Sequence, residues 1–177
     1  NWTITSGAAG TEILKETSAP YEGTNGLKLV GTSTDATLTN TVTTNNLTPD
    51  KRYLFCCYVK SDGLTAGGTL TIMFTGTGYT AASSEKISMN EAALDAQTSY
   101  GIESFYITMP SEIPTDLKLQ IDYASGSAGN VFIDFCAFGE IDYFNGCSFA
   151  IASGTDLFIV NDEMRLSITN NNAGVWQ

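Results

Sequence analysis

The sequence predicts an all-β protein: an antiparallel β-sandwich of jelly-roll type, with a small additional β segment at the C-terminus. Three observations carry this expectation. Apolar residues come in short runs that alternate with polar ones at period two, the repeat of a strand with one buried face. Clusters of Gly, Pro, Asn, Asp and Ser separate these runs at intervals of roughly 10 to 15 residues, the rhythm of a sandwich. Charged residues make up only 15% of the chain, and Thr, Ser and Asn take their place. That balance suits the outer faces of strands and starves long helices of Glu, Lys and Arg.

Taken in order, Thr11 to Thr17 has mixed polarity with Ile13 and Leu14 as anchors, and Pro20-Tyr21-Glu22-Gly23-Thr24-Asn25-Gly26 is a turn. Leu27, Leu29 and Val30 form a strand, and Ala36 to Thr44 alternates through Ala36, Leu38 and Val42. After the turn at Leu47-Thr48-Pro49-Asp50, Tyr53 to Lys60 is apolar on both faces until Lys60, which marks a central strand. Gly63 to Gly68 breaks the pattern and Thr69 to Phe74 resumes it. The one helix-like stretch is Asn90 to Gln97, a turn or two within a long connection. Strands follow at Ser104 to Met109, Leu117 to Tyr123 and, across the Ser125 to Asn130 hairpin loop, Val131 to Phe138.

The character changes after Gly139-Glu140, and a boundary near Asp142 divides a sandwich over 1–140 from a short β segment over 141–177. That segment holds strands at Ser148 to Ile151, Leu157 to Val160 and Met164 to Thr169. Both chain ends read as interior to a longer polypeptide. Met164, Leu166 and Ile168 form an apolar stripe, and Val175 and Trp176 lack an evident partner. The segment is therefore expected to lead into a further domain or an assembly contact.

Charge and composition exclude several classes of function. Nineteen acidic residues against eight basic ones give a net charge of −11. The cations (Lys15, Lys28, Lys51, Arg52, Lys60, Lys86, Lys118, Arg165) form no dense patch, which argues against a nucleic-acid partner. No apolar run is long enough for a membrane-spanning helix. With no histidine, the commonest general base is missing, and four cysteines without CxxC spacing do not read as a zinc site. Cys56 and Cys57 are neighbours whose side chains point to opposite faces of a strand. The cysteines fit buried free thiols, and a Cys57–Cys136 disulfide is the alternative. No spacing singles out a catalytic pair among Glu103, Asp122, Asp134 and Glu140, which read as solvated carboxylates. No catalytic residue is expected.

Residues 1 to 140 resemble the jelly-roll carbohydrate-binding-module superfamily. The resemblance is carried by Trp2, by Pro20-Tyr21-Glu22-Gly23 leading to Gly26-Leu27-Lys28-Leu29, by Leu47-Thr48-Pro49 before Tyr53 to Lys60, and by Val131-Phe132-Ile133-Asp134-Phe135. In that superfamily the last motif often carries an acidic ligand of a structural calcium, and Asp134 holds the matching position. The strand that usually precedes the tryptophan is absent here. The tail, with Gly154, Asp156, Phe158, Val160, Asp162 and Gly174-Val175-Trp176-Gln177, is similar to sequences of bacteriophage virion proteins. Such proteins often use a carbohydrate-module-like jelly roll in capsid, tail or fibre.

The resemblance implies a non-catalytic structural or assembly domain of a phage particle with glycan-binding capacity. Other copies of the chain or other virion proteins would then be its partners, in the virion. The alternative it implies is an extracellular carbohydrate-binding module of a secreted glycan-active enzyme or adhesin. No cofactor is expected beyond a structural calcium at Asp134. Alternation puts Phe132 and Asp134 on one strand face and Ile133 and Phe135 on the other. An ionised carboxylate there needs a cation, hydrogen bonds or solvent. Tyr58, on the face opposite Tyr53 and Phe55, and Tyr79, in a Gly-Thr loop, are the candidate sugar platforms, with packing as the alternative role for each.

Overall fold

Strands with one apolar side must bury that side, and two antiparallel sheets closing on each other do so here. The computed structural model of the protein describes residues 2–32, 34–62, 67–124, 129–141, 156–160 and 163–167. One sheet runs in the order β1 (Trp2–Ser6), β4 (Ala36–Thr41), β10 (Lys118–Ala124), β6 (Thr69–Gly76) and β7 (Tyr79–Thr80), with β8 (Lys86–Met89) also paired to β6. The other runs β2 (Ile13–Glu16), β3 (Gly26–Val30), β11 (Asn130–Glu140), β5 (Arg52–Ser61) and β9 (Gly101–Thr108). All these pairings are antiparallel. The expected all-β sandwich is therefore the fold.

Local chemistry sets the exceptions. A 3-10 turn spans Thr44–Asn46, and the helix-like stretch is one short helix, α1 (Glu91–Ala96). Asn90 caps it, its side chain accepting from the Ala93 N–H at 3.1 Å, and Leu94 anchors it in the core. β1 was not expected as a strand: all five of its residues are exposed, so no burial alternation marks it. β12 (Asp156–Val160) and β13 (Glu163–Ser167) pair with each other and join neither sheet. They coincide with the second and third strands expected in the tail. Ser148 to Ile151, Val175 and Trp176 lie outside the described residues.

The core sits where the inward faces meet. Leu70, Ile72 and Phe74 of β6 and Leu119, Ile121 and Tyr123 of β10 face Tyr53, Phe55, Cys57 and Val59 of β5 and Val131 and Ile133 of β11. Phe74 bridges the sheets, with ring centroids 4.7 Å from Phe138, 6.0 Å from Phe105 and 6.1 Å from Phe55. Tyr123 is fully buried among these apolar groups, and its hydroxyl has no hydrogen-bond partner. An unpaired buried hydroxyl forfeits its hydration, a cost of about 1–3 kcal/mol.

One irregularity shapes everything outside the core. Asp134 pairs with Tyr58 and Ala137 pairs with Cys56, so two residues of β11, Phe135 and Cys136, stand against the single Cys57 of β5. This is a β-bulge, and Phe135 takes a left-handed φ of 45° to make it. For a residue with a Cβ that conformation costs about 1–2 kcal/mol. The expected alternation thus holds through Asp134 and breaks at Phe135, whose ring lies 6.2 Å from that of Tyr58, an outward-facing residue.

The connection from β2 to β3 is held just as tightly. The Glu16 carboxylate accepts from the Ser18 N–H at 2.6 Å, the Ala19 N–H at 3.1 Å and the Ser18 hydroxyl. The Ser18 hydroxyl and the two N–H groups hold the Glu16 pKa down at about 2, against an ordinary 4.5.

A pKa lower in the folded than in the unfolded chain gives stability that is present above pH 4.5 and is lost as pH falls toward about 2. Glu16→Gln is expected to flatten the acid limb of a stability-against-pH profile in that window, as read by chemical denaturation. Tyr123→Phe is expected to leave the denaturation midpoint unchanged or to raise stability by about 1 kcal/mol. Ile121→Ala, beside it in β10, should instead cost about 2–5 kcal/mol through the cavity it opens.

Candidate functional site

The outward face of the five-stranded sheet carries an unusual load of rings. Strand parity places Arg52, Leu54, Cys56, Tyr58 and Lys60 of β5 on this face. It places Ile102, Ser104 and Tyr106 of β9 opposite them, and Phe132 and Asp134 of β11 on the other flank. Ile102 and Tyr106 are 50% and 47% exposed, while most other large apolar side chains among the described residues are buried. Both pair across the strands with apolar partners, Ile102 with Tyr58 and Tyr106 with Leu54.

A loop folds over one end of this face. Asp134 Oδ2 accepts from the Tyr21 N–H at 2.8 Å and the Glu22 N–H at 3.1 Å, and Oδ1 accepts from the Phe135 N–H at 2.7 Å. Gly23, with φ 66°, turns the chain back toward β3. The carbonyl of Ala19 accepts from the Tyr100 hydroxyl at 3.4 Å and from Lys60 Nζ at 3.5 Å. With Glu16 holding residues 18 and 19, the loop is fastened from β2, β5, β11 and the approach to β9. Its product is the position of one ring: Tyr21 stacks on Tyr58 with centroids 3.6 Å apart and planes 17° from parallel, and is itself 41% exposed.

Electrostatics tighten the cluster. Lys60 Nζ sits 4.6 Å from the Tyr100 ring centroid and 4.7 Å from that of Phe132, a cation held between two ring faces. Burial, and then the negative charges of Asp134 and Glu16, push the Tyr100 phenol up to about 12. It therefore remains a hydrogen-bond donor at every ordinary pH. At the other end of the face the Arg52 guanidinium lies 4.3 Å from the Tyr106 ring centroid. Tyr58 stands four positions along the strand from Leu54, about 13 Å. Between them the face is floored by the small side chains of Cys56, Ser104 and Ala137.

The residues singled out in the sequence fall as follows. Tyr58 is on the ring-bearing face as its parity requires, but Tyr21 covers it, so Tyr21 presents the open ring. Tyr79 lies on the other sheet: its ring packs against the core, and its hydroxyl donates to Glu85 at 3.4 Å. Asp122 is also on that other sheet and accepts from Gln120 Nε2 at 2.7 Å. Glu140 accepts from the Tyr53 hydroxyl at 3.4 Å and lies 3.9 Å from Lys51 Nζ. Glu103 follows the inward parity of Cys57, and burial raises its pKa. The four carboxylates are thus not gathered into one site.

Nor do the groups around Asp134 fit a calcium ion. Both its oxygens face N–H donors, and among the described residues no three His, Cys, Asp or Glu side chains converge anywhere. Tyr21, Tyr100 and Tyr106 were not among the candidates. Tyr21 stands in a turn, where periodicity carries no information about facing.

No protein-family model matches the chain, and comparison with curated proteins returns no relative. Solved structures share its fold. A family 16 carbohydrate-binding module is 17% identical with a TM-score of 0.51, over 73% of this chain and 86% of that one. A family 61 carbohydrate-binding module, solved with β-1,4-galactotriose, is 10% identical with a TM-score of 0.53, over 77% and 86%. The enzymatically active domain of tailspike protein 4 of bacteriophage CBA120 is 16% identical with a TM-score of 0.53. That match covers 80% of this chain but only 19% of the tailspike. These structures share with the chain a fold of two antiparallel sheets packed as a β-sandwich.

Proposed function

We propose that the protein is a non-catalytic carbohydrate-binding module whose ligand is a neutral polysaccharide laid across the outer face of the five-stranded sheet. The observation that carries this is the Tyr21 ring. It is open to solvent on one side, backed by Tyr58 on the other, and fixed by hydrogen bonds to Asp134 before any ligand arrives. A rigid aromatic surface meets a pyranose face at little entropic cost, which is where weak binders gain most. Tyr106 and Ile102 extend the apolar surface across β9. A net charge of −11 disfavours polyanionic glycans at long range, which leaves uncharged ones.

The tailspike similarity supports a second setting for the same activity, a glycan-recognising domain within a phage particle rather than within a secreted enzyme or adhesin. Both settings use the same face.

Affinity electrophoresis against a panel of neutral polysaccharides tests the reading. Retardation by at least one is expected, with no release of reducing ends. Tyr21→Ala is expected to weaken binding about tenfold, the equivalent of ~1.4 kcal/mol of lost stacking. Tyr79→Ala should bind like the wild type. Retention of full affinity by Tyr21→Ala, or no retardation by any member of the panel, would overturn the proposal. Because the groups at Asp134 do not fit calcium, a chelator is expected to change neither affinity nor the thermal midpoint. A drop in either would reassign Asp134 as a metal ligand.

A further inference from the structure

The bulge that places Asp134 also brings two thiols together. Cys57 points into the sandwich and is fully buried, while Cys136 is exposed. Because Phe135 and Cys136 jointly face Cys57 across the strand pair, the bulge sets Cys136 beside it on the neighbouring strand. Cys136 also lines a cleft of about 510 Å³ between the sheets, with Ile13, Leu27, Leu38, Ile121 and Ile133 among its walls. One thiol of the pair can therefore be reached from solvent and the other is sealed behind it. Cys56 lies on the opposite face of β5, against Ala137.

We propose that Cys57 and Cys136 are a dithiol that closes to a disulfide, stapling β5 to β11 at the bulge. With a small disulfide such as oxidised glutathione as oxidant, the Cys136 thiolate attacks one glutathione sulfur. The glutathione S–S bond breaks, a protein–glutathione disulfide forms and one glutathione thiolate leaves. Cys57 then gives up its proton and attacks the Cys136 sulfur, and the second glutathione thiolate leaves. Two protein thiols are oxidised and one glutathione disulfide is reduced to two thiols. Cys57 is sealed from solvent while Cys136 is open to it, so the second step is the slow one. A closed disulfide carries no charge and suits a buried site. The staple would lie two residues from Asp134, and so would fix the strand segment that holds the Tyr21 loop.

The test uses the whole 177-residue chain. It is incubated with oxidised or reduced glutathione, blocked with N-ethylmaleimide in denaturant, digested without reduction and mapped by mass spectrometry. A cross-linked fragment pair joining Cys57 to Cys136 is expected after oxidation, retained in Cys56→Ala and lost in Cys136→Ser. The oxidised wild type is expected to melt several degrees above the reduced form, with no such difference in Cys136→Ser. Alkylated Cys57 in the oxidised protein would overturn the proposal. So would a bond from Cys136 to Cys147, which lies outside the described residues, or to a second chain. Mapping of the wild type decides the matter even if a variant fails to fold.

Discussion

Asp134 puts a carboxylate in the middle of an apolar strand, and the way its charge is satisfied organises the rest of the outer face. A half-buried carboxylate without donors would cost several kcal/mol. The donors come from a loop more than a hundred residues earlier in the chain, through the N–H groups of Tyr21 and Glu22. The third comes from the next residue of its own strand, whose left-handed turn aims the N–H back at Oδ1. The backbone strain at Phe135 is thus offset by hydrogen bonds to a charged acceptor, each contributing about 1.5–3 kcal/mol when shielded from water and less at this exposure.

The two faces of the five-stranded sheet show how one residue type serves two ends. Inward rings such as Phe55 and Phe105 are buried and pack edge to face or tilted, which is ordinary core construction. Outward rings are each matched to something that limits their freedom. Tyr58 has Tyr21, Tyr106 has the Arg52 guanidinium, and Tyr100 and Phe132 share Lys60. Three of the chain's eight basic residues, Lys28, Arg52 and Lys60, are spent against these rings. The outer-face rings are thus held by neighbours while some of them stay open to solvent, as the proposed stacking on a sugar requires.

The sandwich was legible because its signal is local. The doubly apolar run from Tyr53 to Val59 does lie between two strands, and the alternation of Leu117 to Tyr123 does place Leu119, Ile121 and Tyr123 in the core. The candidate site was legible only in halves. Parity put Tyr58 and Asp134 on the outward face, but nothing in a turn sequence tells which way Tyr21 faces. That direction is set by a hydrogen bond to a residue 113 positions away. Tyr79 stands in a Gly-Thr setting that reads as an exposed loop, and its ring packs against the core, the other role open to it. The bulge was invisible because it normally announces itself with glycine, and here the left-handed position is held by Phe135.

The acidic balance finds its structural use in the loops. Few cations are present to pair with nineteen carboxylates, and the pair between Lys51 and Glu140 is long at 3.9 Å. The carboxylates turn to the backbone instead. Glu12 takes the Ala8 N–H, Glu16 those of Ser18 and Ala19, and Asp62 that of Asn130. Glu85 takes those of Ala82 and Thr108, Glu91 that of Gly67, Asp116 that of Thr77, and Asp134 three at once. At Glu16 and Asp116 these hydrogen bonds hold the carboxyl pKa below its ordinary value. A general acid needs the reverse, a carboxyl that burial or a like charge keeps protonated near neutrality. The hydrogen bonds that hold the loops of so acidic a chain therefore also keep Glu16 and Asp116 from serving as proton donors near neutrality.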